Sequence, residues 1–147
     1  MHLANPERAL AEAVRVTKPG GRVVIVDTDW GSLSAHSGLD DIERRLAQFR
    51  AEKMLPNGYS GRRLSGLFST AGLENVCLEA AVLHSQSLPL WDLLTQTPAV
   101  AELAVEHGLL SEQELQTWQQ TLLETEAQQT FFGSVNIVTA YGNVPAL

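Results

Sequence analysis

Residues 15–27 read Arg15-Val16-Thr17-Lys18-Pro19-Gly20-Gly21-Arg22-Val23-Val24-Ile25-Val26-Asp27, and the change of backbone regime inside this stretch decides the fold class. Proline disfavours a helical residue before it, and two glycines supply a turn at little steric cost. The helix carried by Leu10, Ala13, Val14 and Thr17 on one face must therefore end before Pro19. Its start is marked by Asn5-Pro6-Glu7: a capping side chain, a proline at the first helical position and an acid near the positive end of the helix dipole. Past the turn, Val23-Val24-Ile25-Val26 is β-branched throughout and does not alternate with polar residues. Such a run fits a strand buried on both faces, as in the parallel sheet of an α/β protein.

Working outward, Trp30 to Gly38 reads as a loop rich in Gly and Ser. Asp40 and Asp41 open a second helix with Ile42, Leu46 and Phe49 on its apolar face through about Met54, and Pro56-Asn57-Gly58 breaks it. Ser60 is placed to cap a third helix, with Leu64, Leu67, Phe68 and Ala71 facing inward and Gly72 closing it. A strand over Glu74 to about Ser85 follows. Pro89 and Pro98 begin short helices, the second capped by Thr97 and stopped at Gly108. Ser111-Glu112-Gln113-Glu114 is a capping box for a helix that runs to about Gln128 and buries Leu115, Trp118 and Leu122. Phe132 to about Tyr141 alternates with period two, a last strand. Three strands serve about six helices, a ratio that points to part of a larger α/β sheet.

Composition narrows the function classes. The 147 residues carry 10 Lys+Arg and 17 Asp+Glu, a formal charge of −7, which argues against a nucleic-acid or anionic-membrane partner. Arg63 is the last basic residue, so the chain beyond it is uniformly acidic. The 44% hydrophobic and 18% charged shares are those of a globular chain, for which one domain spanning 1–147 is the expectation. Cys77, the single cysteine, lies in the apolar run Val76-Cys77-Leu78 and reads as core filler in a reducing, cytoplasmic setting. His84 and His107 stand apart from any acid cluster of metal-ligand spacing, so no metal is expected.

The ordered series His2-Leu3-Ala4-Asn5-Pro6, Ala9-Leu10-Ala11-Glu12, Arg15 to Arg22 and Val26-Asp27-Thr28-Asp29-Trp30 resembles the latter half of a class I S-adenosylmethionine-dependent methyltransferase, of the type that includes the ubiquinone and menaquinone biosynthesis enzymes. Thr17 stands where that family usually has Leu. The similarity continues through Gly61-Arg62-Arg63-Leu64 and Ala71-Gly72-Leu73 to Gly142 and Pro145. It implies a partial Rossmann-like sheet in which the last strand runs antiparallel between two parallel ones, with helical insertions at about 31–58 and 88–129. It also implies S-adenosylmethionine in the parent family and a small-molecule substrate. The glycine-rich loop and the ribose-binding acid by which the family holds that cofactor precede the segment resembled, and no G-x-G-x-G occurs in this sequence.

Ligands of open α/β sheets bind outside the carboxyl ends of the strands, which singles out Asp27, Asp29 and Trp30. Asp29 or Asp27 can orient a substrate hydroxyl or amine, and Trp30 can wall a pocket; caps and loop packing are the alternative. Tyr59 can line the same pocket or pack ahead of the third helix, and Arg62 and Arg63 can reach a carboxylate or stay solvated. By the resemblance His2 lies on the lip of the cofactor site. Trp91 and Trp118 fall on apolar helical faces and read as core. The function expected is that of a methyltransferase fragment acting on a small organic acceptor, inactive alone, or else a non-catalytic interaction module of the same descent. Because the resemblance places the first strand inside a complete sheet, its bare edge here is expected to pair with a second copy, giving a homodimer. The alternative is that Met1 to Thr17 folds back over it.

Overall fold

The computed structural model describes residues 1–146. Helix α1 (Pro6–Val16) leads through the glycine turn into strand β1 (Arg22–Ala35), followed by α2 (Asp40–Phe49), a π-helical turn (Arg50–Met54) and α3 (Ser60–Thr70). Strand β2 (Glu74–Ser85), helices α4 (Leu88–Thr95), α5 (Thr97–Glu106) and α6 (Glu112–Ala127), and strand β3 (Gly133–Asn143) complete the order. The sheet order is β1-β3-β2, with β3 antiparallel to both neighbours. The fold is thus α/β, with β3 central and β1 and β2 parallel to one another across it.

Local chemistry accounts for most boundaries. The Asn5 side chain accepts from the Arg8 amide at 2.8 Å and caps α1. Ser111 and Glu114 form a reciprocal capping box on α6, in which the Ser111 amide, then Arg45, hold the Glu114 carboxyl down to about 2. Gly72 and Gly108 close their helices with φ of +74° and +69°, a region that an L side chain seldom adopts.

Two expected caps are displaced by one residue. Tyr59 and Gln96 precede α3 and α5, so Ser60 and Thr97 are the first helical residues and their hydroxyls are free for tertiary bonds. Ser60 donates to Asp27 Oδ2 at 2.7 Å, and Thr97 shares a 2.7 Å hydrogen bond with Thr95.

Burial divides into two cores. Leu10 of α1 and Leu64 and Phe68 of α3 pack on Val23, Val138 and Ala140 at one face of the sheet. The larger core lies among α2 and α4 to α6, where Trp91 and Trp118, each 1% exposed, join Phe49, Phe131 and Val135. This agrees with the reading of both tryptophans as core.

Three expectations need correction. Strand β1 does not end at Asp27 but continues through the supposed loop to Ala35. Nor is it buried on both faces: Val23 is 7% exposed and Val24 56%, because α1 and α3 cover one face and no described helix covers Val24 and Val26. Cys77 is exposed rather than core, since its apolar run forms part of an edge strand that is solvent-facing along nearly its whole length.

Packing at the head of β3 is tight enough to test. A Cβ at Gly133 would stand 2.5 Å from the Trp91 indole, whose ring is fully enclosed and cannot swing away. Gly133→Ala should destabilise the chain by about 1–3 kcal/mol through overpacking. Thermal melts should show this as a fall of several degrees, whereas Gly66→Ala, in the interior of α3 with nothing within 4 Å, should melt at or above the unaltered chain through the gain in helix propensity.

Candidate functional site

The site follows from a break in the β1–β3 register. Pairing runs regularly from Arg22↔Asn143 to Asp29↔Asn136 and resumes at Ser34↔Ser134, so Trp30 to Leu33 all lie opposite Val135. A bulge of this kind leaves backbone groups without ladder partners. Ser32 supplies them: its hydroxyl donates to the Asp29 carbonyl at 2.6 Å and accepts from the Asn136 amide at 2.9 Å. Side chains on either side of the break consequently serve different cavities.

On one side is a cleft of about 480 Å³ between β1, α2 and the start of α3, lined by Gly31, Leu33, Glu43, Gln48, Tyr59 and Arg62 among others. Asp29, 5% exposed, sits beneath it; its Oδ2 accepts from Arg62 Nε at 2.8 Å, and its buried Oδ1 has no partner. The Arg62 guanidinium lies 5.0 Å from the centre of the Tyr59 ring, and that of Arg63 lies 5.6 Å away. Tyr59 donates its hydroxyl to Glu52 at 3.0 Å, and burial together with the Glu52 carboxylate pushes the phenol above its ordinary range. Gly31 makes the arrangement possible, because any Cβ there would strike the Tyr59 ring.

Glu43 closes the inner wall. Trp118 Nε1 donates to it at 2.6 Å, yet burial outweighs that bond and the one from Ser37, so its carboxyl stands above the usual range.

Across the break lies a second cavity of about 450 Å³, lined by His2, Trp30, Arg50, Leu94, Val100 and Leu103 with several neighbours. The Arg50 guanidinium lies 4.5 Å from the Trp30 ring centre. The structure therefore brings Asp29, Tyr59 and Arg62 together and places Trp30 and His2 apart from them. Asp27 is occupied elsewhere, by an ion pair with the Met1 ammonium and the bond from Ser60.

Reading the sequence for site residues passed over Arg50. Its signal was present, since Arg50 follows Leu46 by four residues and Ile42 by eight and so falls on the apolar stripe of α2. His84 stacks on Phe132 and His107 bonds the Leu103 carbonyl; among the described residues no group of three or more His, Cys, Asp or Glu is placed to hold a metal ion. No described helix is long and apolar enough to cross a membrane.

Two comparisons with known proteins give matches. Residues 1–25, which run through α1 and the glycine turn into β1, match the family model described as a methyltransferase domain. The chain is also 31% identical over 136 residues to a Streptomyces fradiae protein called "Uncharacterized 37.1 kDa protein in transposon TN4556". That alignment takes in 92% of this chain and 38% of the relative, so the chain spans well under half the relative's length.

Two outcomes follow from the cleft. Arg62→Met leaves the Asp29 carboxylate buried without its partner; as Arg62 is itself half exposed, the expected loss is about 1–3 kcal/mol rather than that of a fully buried pair. Adding Asp29→Asn should return part of it in a double-mutant cycle by chemical denaturation. For Glu43 the folded pKa lies above the unfolded one, so the folded chain holds the proton more tightly. Stability from this group is full below about pH 4 and is lost as pH rises through the folded value. Glu43→Gln should thus match the wild type in acid and exceed it near neutrality, as read from the difference between their stability–pH curves.

Proposed function

We propose that this chain is the acceptor side of a methyltransferase-like protein, corresponding to the latter half of a class I S-adenosylmethionine-dependent enzyme of the ubiquinone and menaquinone type, with a small organic molecule as acceptor. The observation that carries the reading is the continuity of the methyltransferase-matching segment with β1, whose carboxyl end opens directly onto both cavities. The antiparallel β3 between parallel β1 and β2 supports it. On this reading the polar cleft of Asp29, Arg62 and Tyr59 and the cavity walled by Trp30 are the two places open to an acceptor, and His2 lines the second, on the side where the cofactor would approach.

The residues present do not fit S-adenosylmethionine by themselves. In the Gly20-Gly21 turn both amides are already bonded, to the Val144 and Lys18 carbonyls at 3.0 and 2.8 Å. Of the two acids on β1 that could take a ribose, Asp27 is held by Met1 and Ser60 and Asp29 is paired with Arg62. No methyl-transfer step is therefore assigned to these residues. In calorimetric titration the 147-residue chain should show no micromolar binding of S-adenosylmethionine or its demethylated product; such binding without a partner chain would overturn the proposal.

A second reading, a non-catalytic module that persists as a homodimer, is favoured by the uncovered side of the sheet. Val24 and Val26 are 56% and 60% exposed, and β1 pairs with a described strand along one edge only. A second copy packed face to face would bury Val24 and Val26, and one joined edge to edge would pair β1, each in a self-complementary contact. Sedimentation at micromolar concentration should then give a dimer, which Val24→Lys with Val26→Lys disperses without unfolding; a monomer for the unaltered chain excludes this reading.

A further inference from the structure

We propose that the cavity beside Trp30 is a binding site for a small organic monocarboxylate, its carboxylate held by Arg50 and its apolar body laid against Trp30, Leu94, Val100 and Leu103. This gives the acceptor-side reading a substrate class, and it rests on that reading only for the role of the bound acid, not for the binding itself.

The decisive feature is a buried cation without an anion. Arg50 is 5% exposed, and among the described residues no carboxylate pairs with it. Its one described hydrogen bond goes from Nη2 to Thr97 Oγ1 at 3.3 Å, and its buried Nε has no partner. Arginine this deeply buried is ordinarily paired. Burial pulls its pKa down to about 10, which still leaves it charged at neutral pH. With Nε enclosed, the guanidinium meets the cavity through its terminal amino groups, of which Nη1 makes no described hydrogen bond, and two such N–H groups can serve the oxygens of a carboxylate.

Its surroundings select the rest of the ligand. The cavity, about 450 Å³, has the size of a small-molecule site, and its walls are mostly apolar. Arg50 is the one Lys, Arg, Asp or Glu among the residues lining it, so the site offers about a single positive charge. A phosphate dianion would remain undercompensated there, whereas a monoanion with an aromatic or branched aliphatic body fits both charge and lining. Arg50 also opens the π-helical turn Arg50–Met54, a rare departure from α geometry that is found often at functional sites.

Phenylacetate, its uncharged counterpart phenylacetamide and inorganic phosphate, each at up to about 10 mM, serve as probes, with thermal shift and saturation-transfer NMR as readouts. Phenylacetate should stabilise the wild-type chain and show saturation transfer from it, with phenylacetamide weaker by about tenfold or more. Arg50→Met should abolish that preference while melting at or above the wild type, because it removes an unpaired buried charge. Arg50→Lys, which keeps the charge and loses the fork, should retain part of it.

Equal binding of acid and amide, an unchanged preference in Arg50→Met, tighter binding of phosphate than of phenylacetate, or no binding of phenylacetate at all would each overturn the site. Should Arg50→Met fail to fold, a wild-type preference for the amide, or its absence in Arg50→Lys together with unchanged affinity, decides against it in the same way. Phenylacetate binding that depends on Arg50, found in a chain that never supports methyl transfer with any partner, would uphold this site and remove the methyltransferase reading.

Discussion

The hydroxyl of Ser32 holds together the one irregularity on which both cavities depend. Without it the Asp29 carbonyl and the Asn136 amide would be left unpaired where β1 and β3 lose register, and a regular ladder would be the cheaper solution. A regular ladder would keep strict alternation from Val23 to Ala35. Trp30 and its neighbours would then follow one face or the other, and the strand could not serve α2 and α3 on one side of the break and Arg50 on the other. Gly31 completes the device, since only the absence of a Cβ lets Tyr59 close against the strand at the point where it is irregular. Local backbone geometry at four residues therefore sets the geometry of the whole site.

Much of the architecture was legible because its causes are local. Asn5-Pro6, Lys18-Pro19-Gly20-Gly21, Gly72, Gly108 and the Ser111–Glu114 box each act within one turn, and the elements begin and end within about two residues of where they point. What was not legible depends on partners remote in sequence. The length of β1 past Asp27 is a property of its pairing with β3, about one hundred residues away, and Trp30 to Ala35 in isolation has the composition of a loop. The uneven burial of Val23 and Val24 could not be read from a uniformly β-branched run, because period-two burial is imposed by what covers each face. Cys77 was misread for the same reason: an apolar neighbourhood in sequence does not say whether a strand is central or at an edge.

Of the candidate site, Asp29, Tyr59 and Arg62 were legible as a group because they flank the strand end and the start of the next helix, positions that an open sheet brings together. Arg50 was not, although a charge on an apolar stripe is itself a signal. A stripe position does not by itself say whether a long cationic side chain reaches solvent or stays enclosed, since that is set by what packs over it. The uncovered face bearing Val24 and Val26 belongs with this point. Its exposure depends on what packs over each side of the sheet, which the run Val23 to Val26 does not state.

Helix α2 concentrates the electrostatic cost of the molecule. Glu43 and Arg50, one on α2 and one opening the π turn that continues it, are seven residues apart, two turns or about 10 Å along the axis, so they share a face but stand too far apart to neutralise each other. A sequence selected for stability alone would have placed the opposite charges four residues apart or replaced both with leucine. Glu43 instead spends its carboxylate on the Trp118 indole, which fixes α6 over α2 and so fixes one wall of the cleft. Arg50 has no comparable structural use: its cation–π contact with Trp30 does not replace an anion, and Thr97 would be satisfied by Thr95 alone. A destabilising group that the fold does not require, lodged where a cavity meets the end of β1, is explained by what enters the cavity.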